Sequence, residues 1–504
     1  KYCYRNTVER WRSSWKFPTT LLCFYGFFST VKPLEPFLFA YLTGPDKNLT
    51  AEQVNNQILP VWTYSYLSAL VPVFLLTDWL RYKPVVMSQG VALFLTTALL
   101  LWTKTTAAMQ AMQFFYGVVT ASDVAYFSYI YSVIDHRRYR KATSYCRSVQ
   151  LLGYTVGSVL GQLLVSFDLM SYNNILVMTL VLTAVALFVS CLLPMPQRSM
   201  FFHRRQTPVV RMKTDGDGTA EDNPTVSTIT VNDTKTTLEE SCEPEKEDVG
   251  DRNKTGSGPK ESAEFESCSS VLLQLWRNFC DCYTSRKLLY WSAWWALATC
   301  GYNLTVNYVQ VLWEHVQPSQ NFSIYNGGVE AVSNLMSAAT AYGIGFTQVR
   351  WETWGELALG GFSGLGAAAL FLMTFSSNIW LCYAAYIVFK SLYMLLITIA
   401  TFQVAAGLSM ERYALMFGTN SFGGLALQTI ITAVVVDSRG LGLAIIPQFT
   451  IYSSYYATIA FVFSLRGLFV IWREKKKRVR LRERVRERER ERGVRVSTKL
   501  DDTQ

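Results

Sequence analysis

The sequence predicts an all-α membrane protein of twelve transmembrane helices arranged as two six-helix bundles. Three observations carry this expectation. Half of the 504 residues are apolar and only 17% are charged, below the ~25% of an average soluble chain. The apolar residues gather in runs of roughly 20, the length that crosses about 30 Å of hydrocarbon. A long polar tract divides these runs into six and six.

The first bundle, 17–193, takes spans at 17–42, 58–79, 84–102, 108–133, 142–167 and 173–193, after a short N-terminal segment at 1–16. The second, 287–471, takes spans at 287–314, 327–349, 354–375, 379–407, 412–436 and 447–471. The tract between them, 194–286, contains DGDGTAEDNPTVSTITVNDTKTTLEE. Such a composition buries too little apolar surface to fold, so disorder is expected. Near its end, VLLQLWRNFCDCYTSRK reads as a short amphipathic helix. Residues 472–504 form a basic tail, with 13 Arg or Lys against five Glu between Arg473 and Arg495. A solvated, partly helical extension is expected there, its KKKRVR start drawn to anionic lipid of the inner leaflet. Tethering to a bilayer argues against nucleic acid as its partner.

Basic residues set the orientation. Arg81 and Lys83 join spans two and three, and Arg137, Arg138, Arg140 and Lys141 join spans four and five. Arg204 and Arg205 follow span six, and the tail follows span twelve. All lie on one side of a twelve-span map, so both termini and the tract are expected in the cytosol. No removable signal peptide is evident, and span one is expected to serve as the insertion signal. The sequons agree with this map. Asn48 and Asn321 fall in outside loops and are candidate glycosylation sites, whereas Asn232, Asn253 and Asn303 are expected to be silent.

Span one, FPTTLLCFYGFFSTVKPLEPFLFAYL, holds Lys32 and Glu35 in its middle, each followed by a proline. Proline removes a donor from the helical ladder, so a break is expected there, either offering carbonyls to a substrate or forming a hinge. Charges at this depth mostly face a cavity, a partner or a substrate. Span two adds Trp62. Span four adds Gln113, Tyr116 and Asp123, whose i, i+3, i+10 spacing lies close to one helical face. Span five adds Arg147 and Tyr154, and span seven adds Asn303, Asn307 and Gln310, spaced four and three apart. Span ten adds Lys390 and Tyr393, and span eleven adds Asn420 and Gln428.

Each of these has a plainer reading. Amides bridge packed helices, Lys390 is equally suited to pairing with a buried acid, and Arg147 lies near enough to a span end to snorkel. Glu35 and Asp123 are the hardest to assign to packing. Taken together, the set predicts an acidic, aromatic, amide-rich cavity that suits a flat, cationic, hydrogen-bonding solute. Aromatic faces attract cations, and the carboxylates either balance the charge or titrate. Lys32 and Lys390 are expected to act in coupling or gating. Two pseudo-symmetric bundles suit a carrier that rocks around a central site. Gly153, Gly157 and Gly161, and likewise Gly360, Gly361, Gly364 and Gly366, read as close-packing faces.

Other classes fare poorly. Three histidines and ten cysteines without zinc-like spacing offer no metal or catalytic centre. No phosphate-binding loop appears, so neither an ATP-driven pump nor an enzyme is expected, and no cofactor is implied.

Several long words then carry a resemblance. CFYGFFSTVKPLEPFLFAYLTGPDKNLT, PVFLLTDWLRYKPVV, SYCRSVQLLGYTVGSVLGQLLVS, WWALATCGYNLTVNYVQVLWE and ITIATFQVAAGLSMERYALMFG resemble the folate/thiamine carriers, a solute-carrier branch of the major facilitator fold. The match covers about residues 12–203 and 271–472. STVKPLEPF and AYLTGPDKNLT look like the thiamine branch found in vertebrates. Asp123 stands where the resemblance puts an acid in thiamine members and an arginine in folate members, and Gln428 stands where a folate carrier has lysine.

The resemblance implies that Glu35, Trp62, Tyr116, Tyr154 and Asn303 line a thiamine pocket. It also implies plasma-membrane uptake by facilitated or secondary-active alternating access, with proton coupling as one form, and pyridoxine as an alternative solute. A reduced folate or a non-transporting receptor role is the more remote alternative. Two departures stand out: Gln113 where thiamine members have Glu, and Thr97 where they have tryptophan.

Overall fold

The computed structural model describes residues 16–133, 136–196, 286–318, 324–344, 351–405 and 410–501, with a few positions between 273 and 285. The expected disorder of the polar tract, most of the amphipathic helix before 286, and Asn321 lie outside the described residues.

The first half runs α1 (Lys16–Thr30), a 3-10 turn (Glu35–Phe37), α2 (Leu38–Thr43), a π-helical turn (Gln53–Ile58) leading into α3 (Leu59–Trp79), α4 (Lys83–Trp102), α5 (Thr106–Val133), α6 (His136–Ser166) and α7 (Tyr172–Leu192). The second half runs α8 (Arg286–Val316), α9 (Asn326–Ile344), α10 (Trp351–Phe375), α11 (Ile379–Ala405), α12 (Met410–Ile431) with a π-helical end (Thr432–Val436), and α13 (Ile445–Asp501).

Packing follows the sequence division. In the first half α5 lies against α3 and α4, α4 against α7, and α1 against α6 and α7. In the second half α8 packs on α11, α12 and α13, α10 on α11 and α13, and α9 on α11. The halves meet chiefly where α6 packs on α9 and α3 on α12, with smaller contacts of the 3-10 turn with α9, of α2 with α8 and of α3 with the π-helical end of α12.

The apolar cores show how the halves are joined. One core holds residues of both halves, among them Phe37, Ile58, Met109, Leu312, Tyr386 and Phe449. Three further cores belong to single halves: Leu22, Val86, Tyr126 and Cys146 in the first, Trp291, Trp295, Leu396 and Phe463 in the second, and a small one of Ala92, Leu93 and Val119 in the first. The described residues are therefore sealed across one end by the shared core and carry separate cores at the other, where α1 begins, α7 ends and α8 begins.

Eight helices among the described residues are long and apolar enough to cross a membrane: those within 53–77, 83–102, 145–166, 172–192, 354–375, 379–404, 415–436 and 445–480. The segments that fall short are the broken α1–α2, α5, α8 and α9. They carry Lys32 and Glu35, Gln113 and Asp123, the amides of span seven, and Glu330.

The small-residue faces separate on inspection. A Cβ on Gly153 would meet Thr30, one on Gly157 would come 2.9 Å from the Lys32 amide nitrogen, and one on Gly161 would collide with the Pro33 carbonyl. The α6 stripe is thus the bed for the break in span one. Of Gly360, Gly361, Gly364 and Gly366 in α10, only Gly360 is tight, against Ser464, while Gly361 has open space around its missing Cβ.

Three local features complete the frame. Lys47, buried in the loop after α2, donates to the Leu101 carbonyl at 3.2 Å and to that of Thr103, capping the carbonyl end of α4. Its burial, with Lys104 nearby, lowers its pKa against the opposing pull of Asp46. Asn48 is exposed in a left-handed conformation, φ 56°. The described part of the basic tail is helical: α13 continues without interruption to Asp501, further than a partly helical extension.

Candidate substrate site

The break in span one organises the site. Pro33 and Pro36 supply no N–H, and the chain leaves the α-helix after Thr30. The Glu35 amide reaches only the Lys32 carbonyl, at 3.2 Å. Freed backbone groups at membrane depth each cost several kcal/mol if left unpaired. Amides of the second half take them up. Gln310 on α8 donates to the Glu35 carbonyl at 3.0 Å and accepts from the Phe39 amide at 3.2 Å. Asn326 on α9 donates to the Pro36 carbonyl at 3.1 Å. These carbonyls are committed to the joint between halves, so neither is offered to a solute.

Above this joint lies a cavity of about 430 Å³ between the halves, within the range of small-molecule sites. Lys32, Glu35, Trp62, Gln113, Tyr116 and Asp123 line it from the first half, together with Tyr154 on α6. Asn307 and Lys390 line it from the second.

The first-half wall is a connected network. Lys32 Nζ donates to the Tyr116 hydroxyl at 3.1 Å and lies 4.5 Å from the centre of its ring. The Tyr116 hydroxyl in turn donates to Glu35 Oε1 at 2.8 Å. Asp123 Oδ1 accepts from Gln89 Nε2 at 2.6 Å, and Gln89 Oε1 accepts from Tyr25 at 2.8 Å. Trp62 is oriented by donating to Thr120 Oγ1 at 3.1 Å, with its ring 5.6 Å from that of Tyr66. Gln113 is buried in the same wall.

In the second half, Lys390 Nζ pairs with Glu330 Oε2 at 2.5 Å, and the Tyr386 hydroxyl donates to the other oxygen of that carboxylate at 2.6 Å. The lining thus holds three acids, Glu35, Asp123 and Glu330, against two bases, Lys32 and Lys390.

Two of the predicted residues stand back from the lining. Asn303 donates to Gln428 Oε1 at 3.1 Å, and Gln428 donates to Thr63 Oγ1 at 3.3 Å, so this chain of amides ties α8 and α12 to α3. Tyr393 stacks on Tyr302 at 3.9 Å between ring centres, and Tyr302 is the ring that faces the cavity. Thr97 is buried with its hydroxyl on the Leu93 carbonyl, away from the lining. Glu330, Gln89 and Tyr302 line the cavity without having been singled out from the sequence. Glu330 was findable, because the intramembrane Lys390 calls for an acid of similar depth.

No group of three His, Cys, Asp or Glu side chains that would hold a metal occurs among the described residues. The described helices enclose a charged and aromatic cavity within a fold shared with transporters of the major facilitator type. Solved structures share the fold: the nucleoside transporter NupG, with a TM-score of 0.57 and 13% identity over 89% of this chain and 99% of that one, and a bacterial homologue of the lysosomal transporter Spinster in an inward-facing, unoccupied conformation, at 0.51 and 11%. The reduced folate carrier family model matches residues 13–451, and the chain belongs to that family. Among its relatives are human thiamine transporter 1, 50% identical over 92% of each chain, and human thiamine transporter 2, 46% identical over 94% of each. The human reduced folate transporter is 39% identical over 90% of this chain and 72% of its own.

Proposed function

We propose that the protein is a thiamine carrier, not an enzyme, and takes up this organic cation across the plasma membrane by alternating access. The observation that carries the reading is the cavity's charge and surface: three acids against two bases, with tyrosine and tryptophan faces beside Glu35 and Asp123. A folate carries the opposite charge and would meet those carboxylates. Relatives named as thiamine transporters match more closely than the folate transporter.

The twelve-span arrangement extends this reading. The four segments that do not qualify, α1–α2 among them because its break leaves two short helices, are those that wall the cavity, where polar side chains need not face lipid. With them the chain has two bundles, 17–193 and 287–471, and both termini on the cytosolic side, where the basic connections gather. In that orientation the sealed end faces outward and the cavity opens inward. Asn48 then lies outside as a glycan acceptor. The mechanism needs no covalent chemistry. Glu35 and Asp123 attract the cation, Tyr116, Trp62 and Tyr154 offer ring faces, and Gln113 and Asn307 supply hydrogen bonds.

Uptake of labelled thiamine by cells expressing the chain tests this, with unlabelled thiamine, pyridoxine and folate as competitors at two pH values. Saturable uptake blocked by thiamine and not by folate is expected. Surface-expressed protein without saturable uptake overturns the assignment.

A further inference from the structure

Lys32 sits where a cationic solute belongs. Its ammonium lies 4.5 Å from the centre of the Tyr116 ring and 3.1 Å from the hydroxyl that Glu35 accepts from. A substrate cation would seek the same ring face and the same carboxylate. The other lining base, Lys390, is held by Glu330 and Tyr386. Among the described residues, Lys32 makes no direct ion pair. Its contacts are a ring face and a shared hydroxyl, which an incoming cation can take over.

The backbone fixes the root of this side chain. Lys32 leaves the unwound segment that rests on Gly157 of α6, so its four-carbon stem swings from a set anchor. Without it, the one base left in the described lining would be Lys390, already paired with Glu330. Bringing the halves together around bare carboxylates would carry the full cost of desolvating them.

We propose that Lys32 is a tethered stand-in cation. It occupies the cation subsite of the empty carrier, is displaced when a cationic solute binds, and returns to neutralise the pocket so that the empty carrier can reorient. This rests on the cation-carrier reading above. It assigns Lys32 a role in the return step and in selectivity for solutes that bring their own positive charge.

Lys32→Gln removes the competitor while keeping a polar side chain. The apparent KM for thiamine is expected to fall by about tenfold, the equivalent of one desolvated cation–ring contact. Net uptake into thiamine-free vesicles is expected to drop by a similar factor, while thiamine-for-thiamine exchange is retained, since exchange never needs the empty carrier to return. Lys32→Arg is expected to keep net uptake. Equal loss of net uptake and exchange in Lys32→Gln, or no change in either, overturns the proposal.

A second measurement needs no thiamine. Purified Lys32→Ala protein is expected to gain thermal stability in methylammonium chloride relative to sodium chloride, and the wild type is not. Equal responses in the two proteins overturn the proposal. A wild type that exchanges no thiamine, with methylammonium still stabilising Lys32→Ala, would remove thiamine as the solute and leave the stand-in cation in place.

Discussion

At the scale of single residues, the site is a problem of charge placed in a poor solvent. Glu35 holds one hydrogen bond from Tyr116, and Asp123 one from Gln89. Glu35→Gln and Asp123→Asn preserve shape and remove charge. Each is expected to lower thiamine uptake by roughly tenfold or more, as loss of a buried charge partner does. Uptake normalised to biotinylated surface protein reads this directly, and wild-type rates in both variants would refute the acidic pocket. Gln113 is the neutral member of the same wall. Gln113→Glu adds a carboxylate beside a bound cation, and thiamine affinity is expected to tighten by about tenfold. An unchanged or weaker half-saturation concentration would take Gln113 out of the solute's reach.

At the scale of elements, the broken span and the glycine stripe of α6 are one device. The prolines made the break legible in the sequence, because their missing donors are a property of residue type. Its bed was only half legible. Gly153, Gly157 and Gly161 announced close packing, but three residues cannot say what packs on them. Glu330 escaped for a related reason. It lies in the second turn of α9 beside NGGV, where it resembles an ordinary acid near a helix start, and its partner Lys390 is 60 residues further on. Asn303 lies one turn from Asn307 on the same helix, and its amide is spent on Gln428 rather than on the cavity lining.

Gly161→Ala is expected to displace the Pro33 carbonyl and with it Lys32 and Glu35, cutting uptake severely and lowering the melting temperature in detergent. Gly361→Ala, which meets nothing, is expected to leave both unchanged. Matching effects of the two alanines would remove the glycine bed from the account.

At the scale of the whole molecule, the sealed end is the outer gate in the orientation proposed above. Beyond the shared apolar core it is held by a few polar ties. Asn56 donates to the Val436 carbonyl at 2.7 Å and accepts from the Ser438 amide at 3.2 Å, and Tyr64 donates to Asp437 at 2.7 Å. A hydrogen bond to a charged group contributes roughly 1.5–3 kcal/mol. Tyr64→Phe is therefore expected to raise the outward-open population by about tenfold or more. An Asn307→Cys reporter in the cavity should then react faster with a membrane-impermeant thiol reagent added outside intact cells, and unaltered labelling would show that this tie does not limit opening.

One residue of the joint belongs to both functions. The side chain of Glu35 faces the solute pocket, while its carbonyl is held by Gln310 from the opposite half. On the proposed function, parting the sealed end strips that carbonyl, and a cation drawn toward the carboxylate pulls on the same peptide. Occupancy and latch thus share a single residue. The message between them travels no further than the few bonds from a side chain to its own backbone.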